Sequence, residues 1–180
     1  SNTVRLTPEE ATQLATVARQ SVSVQIAPGL DLTAWAPDGL VTDPVALAFD
    51  ERGTLYATST SRASLPLDIR QHPSWVPVAH TMRTVDDLLN FYRRELAPER
   101  SAGNPWLPDL NKDGSRDYRD LAELKERLYR IQDSDGDGYA DTSRVILEGF
   151  NADSTHDVAG GLLHHDGDLF FGAAPALWRL

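Results

Sequence analysis

Two acidic, glycine-containing loops carry the residues best suited to chemistry, and both match the spacing of calcium-binding loops. In the first, oxygen-bearing residues occupy positions 1, 3, 5, 7, 9 and 12 of a twelve-residue template. Gly114 stands at position 6, where the chain must turn sharply. Calcium takes six to eight oxygen ligands, so the pattern predicts a calcium site. The predicted ligands are Asp109, Asn111, Asp113, the carbonyl of Ser115, Asp117 and Asp120.

The second loop keeps the first part of the template and departs from it at the end. Position 12 is Arg144, so a residue from elsewhere, such as Glu148, must complete the shell. Its carboxylates would repel one another without a cation, which favours metal binding over the alternative of a solvated acidic turn. The predicted ligands are Asp133, Asp135, Asp137, the carbonyl of Tyr139 and Asp141.

The segment between the loops is predicted to be a helix over residues 118–131. Leu121, Leu124, Leu128 and Ile131 recur there at helical spacing. Pro105 and Pro108 prevent a helix from entering the first loop, so a paired EF-hand is not expected. The run 109–128 resembles one half of a dockerin repeat, but no helix pattern follows the second loop. A calcium loop without a cohesin partner is therefore the preferred interpretation.

The composition limits the classes of partner and of location. The chain has 17 Lys and Arg against 27 Asp and Glu, a net charge of −10, which argues against nucleic acid as a partner. It contains no cysteine, so disulfides are excluded, and no apolar run approaches the length of a membrane span. Weak calcium loops suit compartments rich in calcium, so we expect a periplasmic or extracellular location.

The remaining elements are mostly strands, and they divide the chain into four parts. Alternating apolar residues and turn signals predict a strand at 21–26, hairpins at 44–60 and 161–172, and a strand at 143–150. Trp178 and Leu180 continue the last hairpin into a third strand. Thr7 and Thr84 cap predicted helices at 8–19 and 85–97. The parts are an N-terminal helix (1–20), the strands of a first blade (21–61), a helical and calcium-loop insertion (62–142) and further blade strands (143–180).

Three stretches resemble one family of β-propellers. They are DPVALAFDERGTLYATST at 43–60, DSDGDGYADTSRVILEGF at 133–150, and THDVAGGLLHHDGDLFFGAAPALWRL at 155–180. Together they are similar to blades of the glucose/sorbosone dehydrogenase group, in particular its membrane-bound dehydrogenase subset. The resemblance implies a mainly β fold, the fragment of a propeller with about two antiparallel blades and inserted helices and calcium loops. Counted on this chain alone, the class is α+β, and we expect it to be the N-terminal part of a longer propeller.

The resemblance also implies a chemistry for the longer parent protein. In quinoprotein members a histidine takes the proton of a sugar hydroxyl while pyrroloquinoline quinone accepts hydride, and His156 is the matching position. A loop histidine held by hydrogen bonds is the alternative. The parent is accordingly expected to oxidise sugars or alcohols. The competing hypotheses are a non-catalytic, calcium-stabilised module that binds carbohydrate or protein, and a dockerin-like adhesion piece. Oligomer contacts are expected at the open edge of the sheet.

Overall fold

The strands form two antiparallel sheets, in a computed structural model that describes residues 3–62, 71–152, 154–155 and 157–180. The first sheet has five strands in the order β1-β5-β4-β3-β2, and the second has three in the order β6-β7-β8. The class is therefore α+β to mainly β. The strands are β1 (Thr3–Arg5), β2 (Pro44–Phe49), β3 (Leu55–Thr60), β4 (Glu126–Gln132), β5 (Thr142–Gly149), β6 (Ala159–His165), β7 (Asp168–Ala173) and β8 (Ala176–Arg179).

The helical elements lie at the N-terminus and between β3 and β4. They are α1 (Pro8–Ser21), α2 (Val76–Ala79) and α3 (Val85–Glu95), with 3₁₀ turns at Pro73–Trp75, Pro98–Gly103 and Tyr118–Glu123. Both predicted helix starts are confirmed, because Thr7 caps α1 and Thr84 caps α3 through reciprocal side-chain and backbone hydrogen bonds. Phe91 is the most buried residue of α3, whereas Val85 is 42% exposed.

The predicted hairpins are confirmed with small shifts in their bounds. β2 pairs with β3 across the turn at 50–54, and β6 pairs with β7 across Asp166-Gly167. The strand predicted at 143–150 is β5, and Trp178 lies in β8 as the third strand of its sheet. Local turn chemistry was sufficient for these predictions, because each turn contains a glycine with positive φ, Gly53 at 80° and Gly167 at 84°.

Two predicted elements are wrong. Residues 22–26 form no strand, since α1 extends to Ser21 and the following valines, Val22 and Val24, are each 47% exposed with no partner strand. The helix predicted at 118–131 is instead a 3₁₀ turn followed by β4. Leu128 and Ile131 lie on opposite faces of β4, and both are fully buried. A strand buried on both faces can thus imitate helical spacing.

The two faces of the first sheet are covered by different partners. We call the side with Tyr56, Thr58 and Leu128 the front face, and the side with Leu55, Ala57 and Ile131 the back face. The front face packs on the second sheet through Leu128, Leu169 and Phe171. The back face packs on Trp35 and Leu40, which lie between α1 and β2. A third apolar cluster joins α3 to the 3₁₀ turns and contains Trp75, Phe91, Leu96, Leu107, Leu121 and Leu124.

A buried polar link joins the two sheets. Glu126 of β4 is fully buried, and its carboxylate accepts hydrogen bonds from the Ala159 backbone N–H at 2.8 Å and from Thr60 Oγ1 at 2.7 Å. Arg62, also buried, lies 3.4 Å from the same carboxylate. Burial lowers the pKa of Arg62, and the charge of Glu126 partly offsets that effect. The carboxylate thus contacts residues of the first sheet, of the second sheet and of the segment that leaves β3.

Candidate metal-binding loops

The second acidic loop, residues 133–141, connects the adjacent strands β4 and β5. Its shape is set by carboxylates that accept hydrogen bonds from the loop's own backbone. Asp133 accepts from the N–H groups of Gly136 at 2.7 Å and Gly138 at 2.9 Å. Asp135 and Asp137 accept from the N–H groups two residues further along, at 3.1 and 2.9 Å. These bonds curl the chain so that its short acidic side chains converge.

Three carboxylates meet inside this curl. One oxygen from each of Asp133, Asp135 and Asp137 lies within 4.8 Å of the others, and these are the only three acidic or histidine ligands so grouped in the described part of the chain. Gly136 and Gly138 make the approach possible, with φ of 81° and 96°. The arrangement offers a cation three carboxylate oxygens, and Asp135 and Asp137 are exposed to solvent.

The charge of this group is not compensated within the protein. The hydrogen bond from the Asp137 N–H lowers the pKa of Asp135, but lost solvation and the charges of Asp137 and Asp141 outweigh it and raise the pKa overall. Among the described residues, no Lys, Arg or His forms an ion pair with these three carboxylates. A bound cation would remove this repulsion.

Asp141 is placed differently from the other predicted ligands of this loop. It is 6% exposed, and its oxygens accept hydrogen bonds from the Ser134 N–H, the Ser134 hydroxyl and the Thr142 hydroxyl. Burial raises the pKa of Asp141, yet these hydrogen bonds outweigh burial and leave it below its ordinary value. In this arrangement Asp141 closes the base of the loop rather than joining the three carboxylates.

The backbone around Tyr139 anchors the loop to the N-terminal region. The neighbouring Ala140 is fully buried, and its N–H donates to the Trp35 carbonyl at 2.8 Å. The Leu6 N–H donates to the Asp141 carbonyl at 2.8 Å. The predicted ligand at position 7, the Tyr139 carbonyl, therefore belongs to a fixed stretch of chain. A cation bound in the loop would therefore also restrain residues 6 and 35, which are hydrogen-bonded to it.

Glu148 cannot complete this shell. It pairs with Arg127 in the ladder of β4 and β5, six residues along β5 from the loop, or about 20 Å away. There it forms ion pairs with Arg127 at 2.7 Å and Lys125 at 3.3 Å. The hydrogen bond from Arg127 is the main cause of its lowered pKa. Any remaining ligands in the second loop must come from water or from the loop itself.

The first acidic loop repeats the same backbone turn. Asp109 accepts hydrogen bonds from the N–H groups of Asp113 and Gly114 at 3.1 and 3.0 Å, and Asp113 accepts from Ser115 at 2.8 Å. Asn111 also accepts from the Asp113 N–H, at 3.0 Å. Gly114 has φ of 88°, as its place in the template requires. The front half of the template therefore folds alike in both loops.

The second half of this loop is occupied by contacts within the protein. Asp117 is fully buried and accepts two hydrogen bonds from the Arg119 guanidinium, at 2.9 and 2.6 Å. Arg119 also lies 3.0 Å from Asp113. Asp120 is fully buried and accepts from the N–H groups of Leu110, Asn111 and Asp117. The guanidinium lowers the pKa of Asp117 to about 2. Arg119 thus supplies the positive charge that a metal would bring.

Sequence reasoning missed the role of Arg119. The signal was present, because an arginine two residues after a capping aspartate can fold back onto it. The ligand assignment for the first loop stays a prediction, with Arg119 as an internal competitor of the metal. The catalytic prediction cannot be placed, because His156 lies outside the described residues.

Comparison with known proteins gives no relative: the chain matches no protein-family model, no curated protein and no solved structure. Within the described ranges, none of the helices combines the length and the hydropathy needed to traverse a bilayer.

Proposed function

We propose that the chain binds calcium in the loop at 133–141 and that the ion stabilises the connection between β4 and β5. The observation that supports this most directly is the convergence of Asp133, Asp135 and Asp137 within 4.8 Å, with no cationic side chain paired to them among the described residues. The role is structural, since the loop joins two adjacent strands of one sheet. The ion would lock their ends and, through Ala140 and Leu6, the segment packed on the back face.

The donor set favours calcium over other common metals. Every donor in the loop is an oxygen, and cysteine is absent from the chain, which disfavours zinc and the softer metals. Magnesium demands near-ideal octahedral geometry and a smaller cage. Calcium accepts an irregular shell completed by water, which suits a solvent-exposed loop that offers a group of three carboxylate oxygens.

The test is calorimetric titration of calcium into protein stripped of divalent ions. We expect one saturable binding event in the wild type. Asp135→Asn should raise the calcium dissociation constant at least tenfold. Asp38→Asn is the matched control, because Asp38 is exposed, lies outside both loops and accepts a hydrogen bond from the backbone N–H of Gly39. Binding that is absent in the wild type, or that survives unchanged in Asp135→Asn, would reject the proposal.

We further propose that the two sheets are successive blades of a propeller-type stack. The hairpins β2–β3 and β6–β7 correspond, because a positive-φ glycine precedes Leu55 and Leu169 by two residues in each. The first sheet meets the second through Tyr56, the residue after Leu55. The second sheet contacts the first through Leu169, which corresponds to Leu55 and not to Tyr56. The two hairpins therefore use opposite faces for this contact. Such head-to-tail contact can repeat around a ring.

This stacking proposal makes a specific demand on the free side of the second sheet. Phe170 corresponds to Tyr56, and on its side of the sheet Leu163 is 58% exposed and Leu177 is 74% exposed. A further sheet should cover these residues in the natural full-length protein. There Leu163→Asp should lower the melting temperature, whereas Leu30→Asp, at a 70% exposed loop residue, should not. Equal melting temperatures for both variants would contradict the stack. Oxidation of sugars or alcohols with pyrroloquinoline quinone stays a separate prediction for such a protein.

A further inference from the structure

A groove of about 590 Å³ lies on the front face of the first sheet, at its outer edge, away from the second sheet. Three adjacent strands, β1, β5 and β4, each place one arginine in it. Arg144 of β5 lies directly opposite Arg130 of β4, and Arg5 of β1 lies one ladder step away on the same face. The other polar side chains of the groove are Thr3, Gln132 and Thr142.

These arginines have no partner among the described residues. Arg5, Arg130 and Arg144 are exposed, and none of them donates a side-chain hydrogen bond or forms an ion pair within the part of the chain that the structure describes. No acidic residue of the described ranges lines the groove. This is unusual in a chain with ten more acidic than basic side chains, 27 against 17, where carboxylates are abundant.

The placement of the arginines is unfavourable without a ligand. Like charges directly opposite each other on neighbouring strands destabilise a sheet, and Arg130 and Arg144 form such a pair. Elsewhere on the same two strands an arginine lies opposite an acidic residue. Arg127 faces Glu148 across the ladder and forms an ion pair with it at 2.7 Å. The groove therefore concentrates positive charge where a carboxylate would have relieved it.

We propose that this groove binds an anion that carries at least two phosphate, sulfate or carboxylate groups. A guanidinium offers a planar fork of N–H donors that matches all three groups in a bidentate manner. The three strands lie about 4.8 Å apart, so the backbone positions of the outer two arginines are about 10 Å apart across the sheet. A ligand with several anionic groups, such as a short polyphosphate, a sulfated sugar or an oligouronate, matches that spacing better than one oxyanion does. The Thr3 hydroxyl adds a neutral donor along the same path.

The test uses three probes in buffer without added divalent cations, so that the anions cannot complex calcium. They are tripolyphosphate, a sulfated disaccharide and trigalacturonate, each titrated calorimetrically into the whole chain. We expect saturable binding of at least one probe, and the probe that binds identifies the anionic group. Arg144→Gln should weaken that binding at least tenfold. Arg93→Gln is the matched control, because Arg93 is exposed on α3 and the substitution changes net charge by the same amount.

Folding is controlled separately. Arg144→Gln removes a repulsion, so its melting temperature without anion should equal or exceed that of the wild type. If that variant fails to fold, Arg5→Gln on the edge strand gives the same test. The proposal is overturned if no probe binds saturably, or if Arg93→Gln weakens binding as much as the groove variants do. These outcomes do not depend on whether the loop at 133–141 binds calcium.

Discussion

The two acidic loops follow one template and differ in what neutralises them. In both, a leading aspartate, Asp109 or Asp133, accepts the two backbone N–H bonds that curl the chain. In the first loop Arg119 then reaches back to Asp117 and Asp113. In the second loop no side chain among the described residues plays this part. The template therefore determines the turn, while one neighbouring residue determines how much a cation can contribute.

The largest expected difference between the loops is the stability that calcium brings through the second. A ligand bound only to the native state at 100 times its dissociation constant adds about 2.7 kcal/mol to the free energy of unfolding. For a chain of this length, that is a rise in melting temperature of about 5–10 °C. Differential scanning fluorimetry with calcium and with chelator measures it. Asp133→Asn should abolish the rise, and Asp109→Asn should leave most of it. The reverse order would assign the site to the first loop.

Removing the internal cation should make the first loop behave like the second. Arg119→Gln leaves Asp117 buried without its partner, and we expect the free energy of unfolding to fall, by an amount that screening limits because Arg119 is half-exposed. The same variant should gain calcium affinity at the first loop, seen as added stoichiometry in calorimetry. Arg116→Gln is the control, because Arg116 is an exposed neighbour and the ion pairs of these carboxylates are formed by Arg119. Unchanged stoichiometry would show that the first loop is not a latent site.

The loops should also respond to pH with opposite sign in metal-free protein. The pKa of Asp117 is lowered to about 2, chiefly by its hydrogen bonds with Arg119. Its contribution of about 1 kcal/mol is therefore present above its unfolded pKa near 3.8 and is lost as the pH falls toward 2. The pKa of Asp135 is raised, so its contribution to stability decreases as the pH rises through that raised value. Urea unfolding from pH 2 to 6 of Asp117→Asn and Asp135→Asn separates the two. Parallel curves for both variants would refute the contrast.

The smallest effect on calcium affinity is expected at Glu148, which the sequence suggested as the ligand that completes the second loop. Glu148→Gln should leave the calcium dissociation constant within about twofold, because Glu148 lies far along β5 from the second loop. Its exposed pairs with Lys125 and Arg127 should cost at most about 1 kcal/mol when broken. Calorimetry and thermal melting of this one variant measure both quantities. A large loss of calcium affinity would require a different path for β5.

The features that the sequence predicted well are those determined by interactions between residues close together in the chain. The capping boxes at Thr7 and Thr84, the turns at Gly53 and Gly167 and the curl of both acidic loops each depend on local hydrogen bonds. The features it missed depend on residues far apart in the chain. Leu128 and Ile131 suggested a helix, because their burial on two faces comes from partners at β6 and at Leu40.

The same limit applies to the candidate sites. The spacing of Asp133, Asp135 and Asp137 indicated a ligand group, but the distance of Glu148 from it follows from strand register, which no local pattern specifies. The arginine groove was invisible for a similar reason. Arg5, Arg130 and Arg144 are scattered over 140 residues of sequence and meet only because β1 pairs with β5 and β5 with β4.

The position of Glu126 between the two sheets bears on how cooperatively the protein unfolds. Its one carboxylate is shared between Thr60 of the first sheet and the backbone of Ala159 in the second, with no water-exposed surface of its own. Separating the sheets would remove the hydrogen bond from the Ala159 N–H and leave the buried carboxylate with Thr60 and Arg62. Partial opening that breaks this hydrogen bond is therefore unfavourable. Heat or denaturant should therefore dismantle both sheets in a single step, with no species in which only one survives.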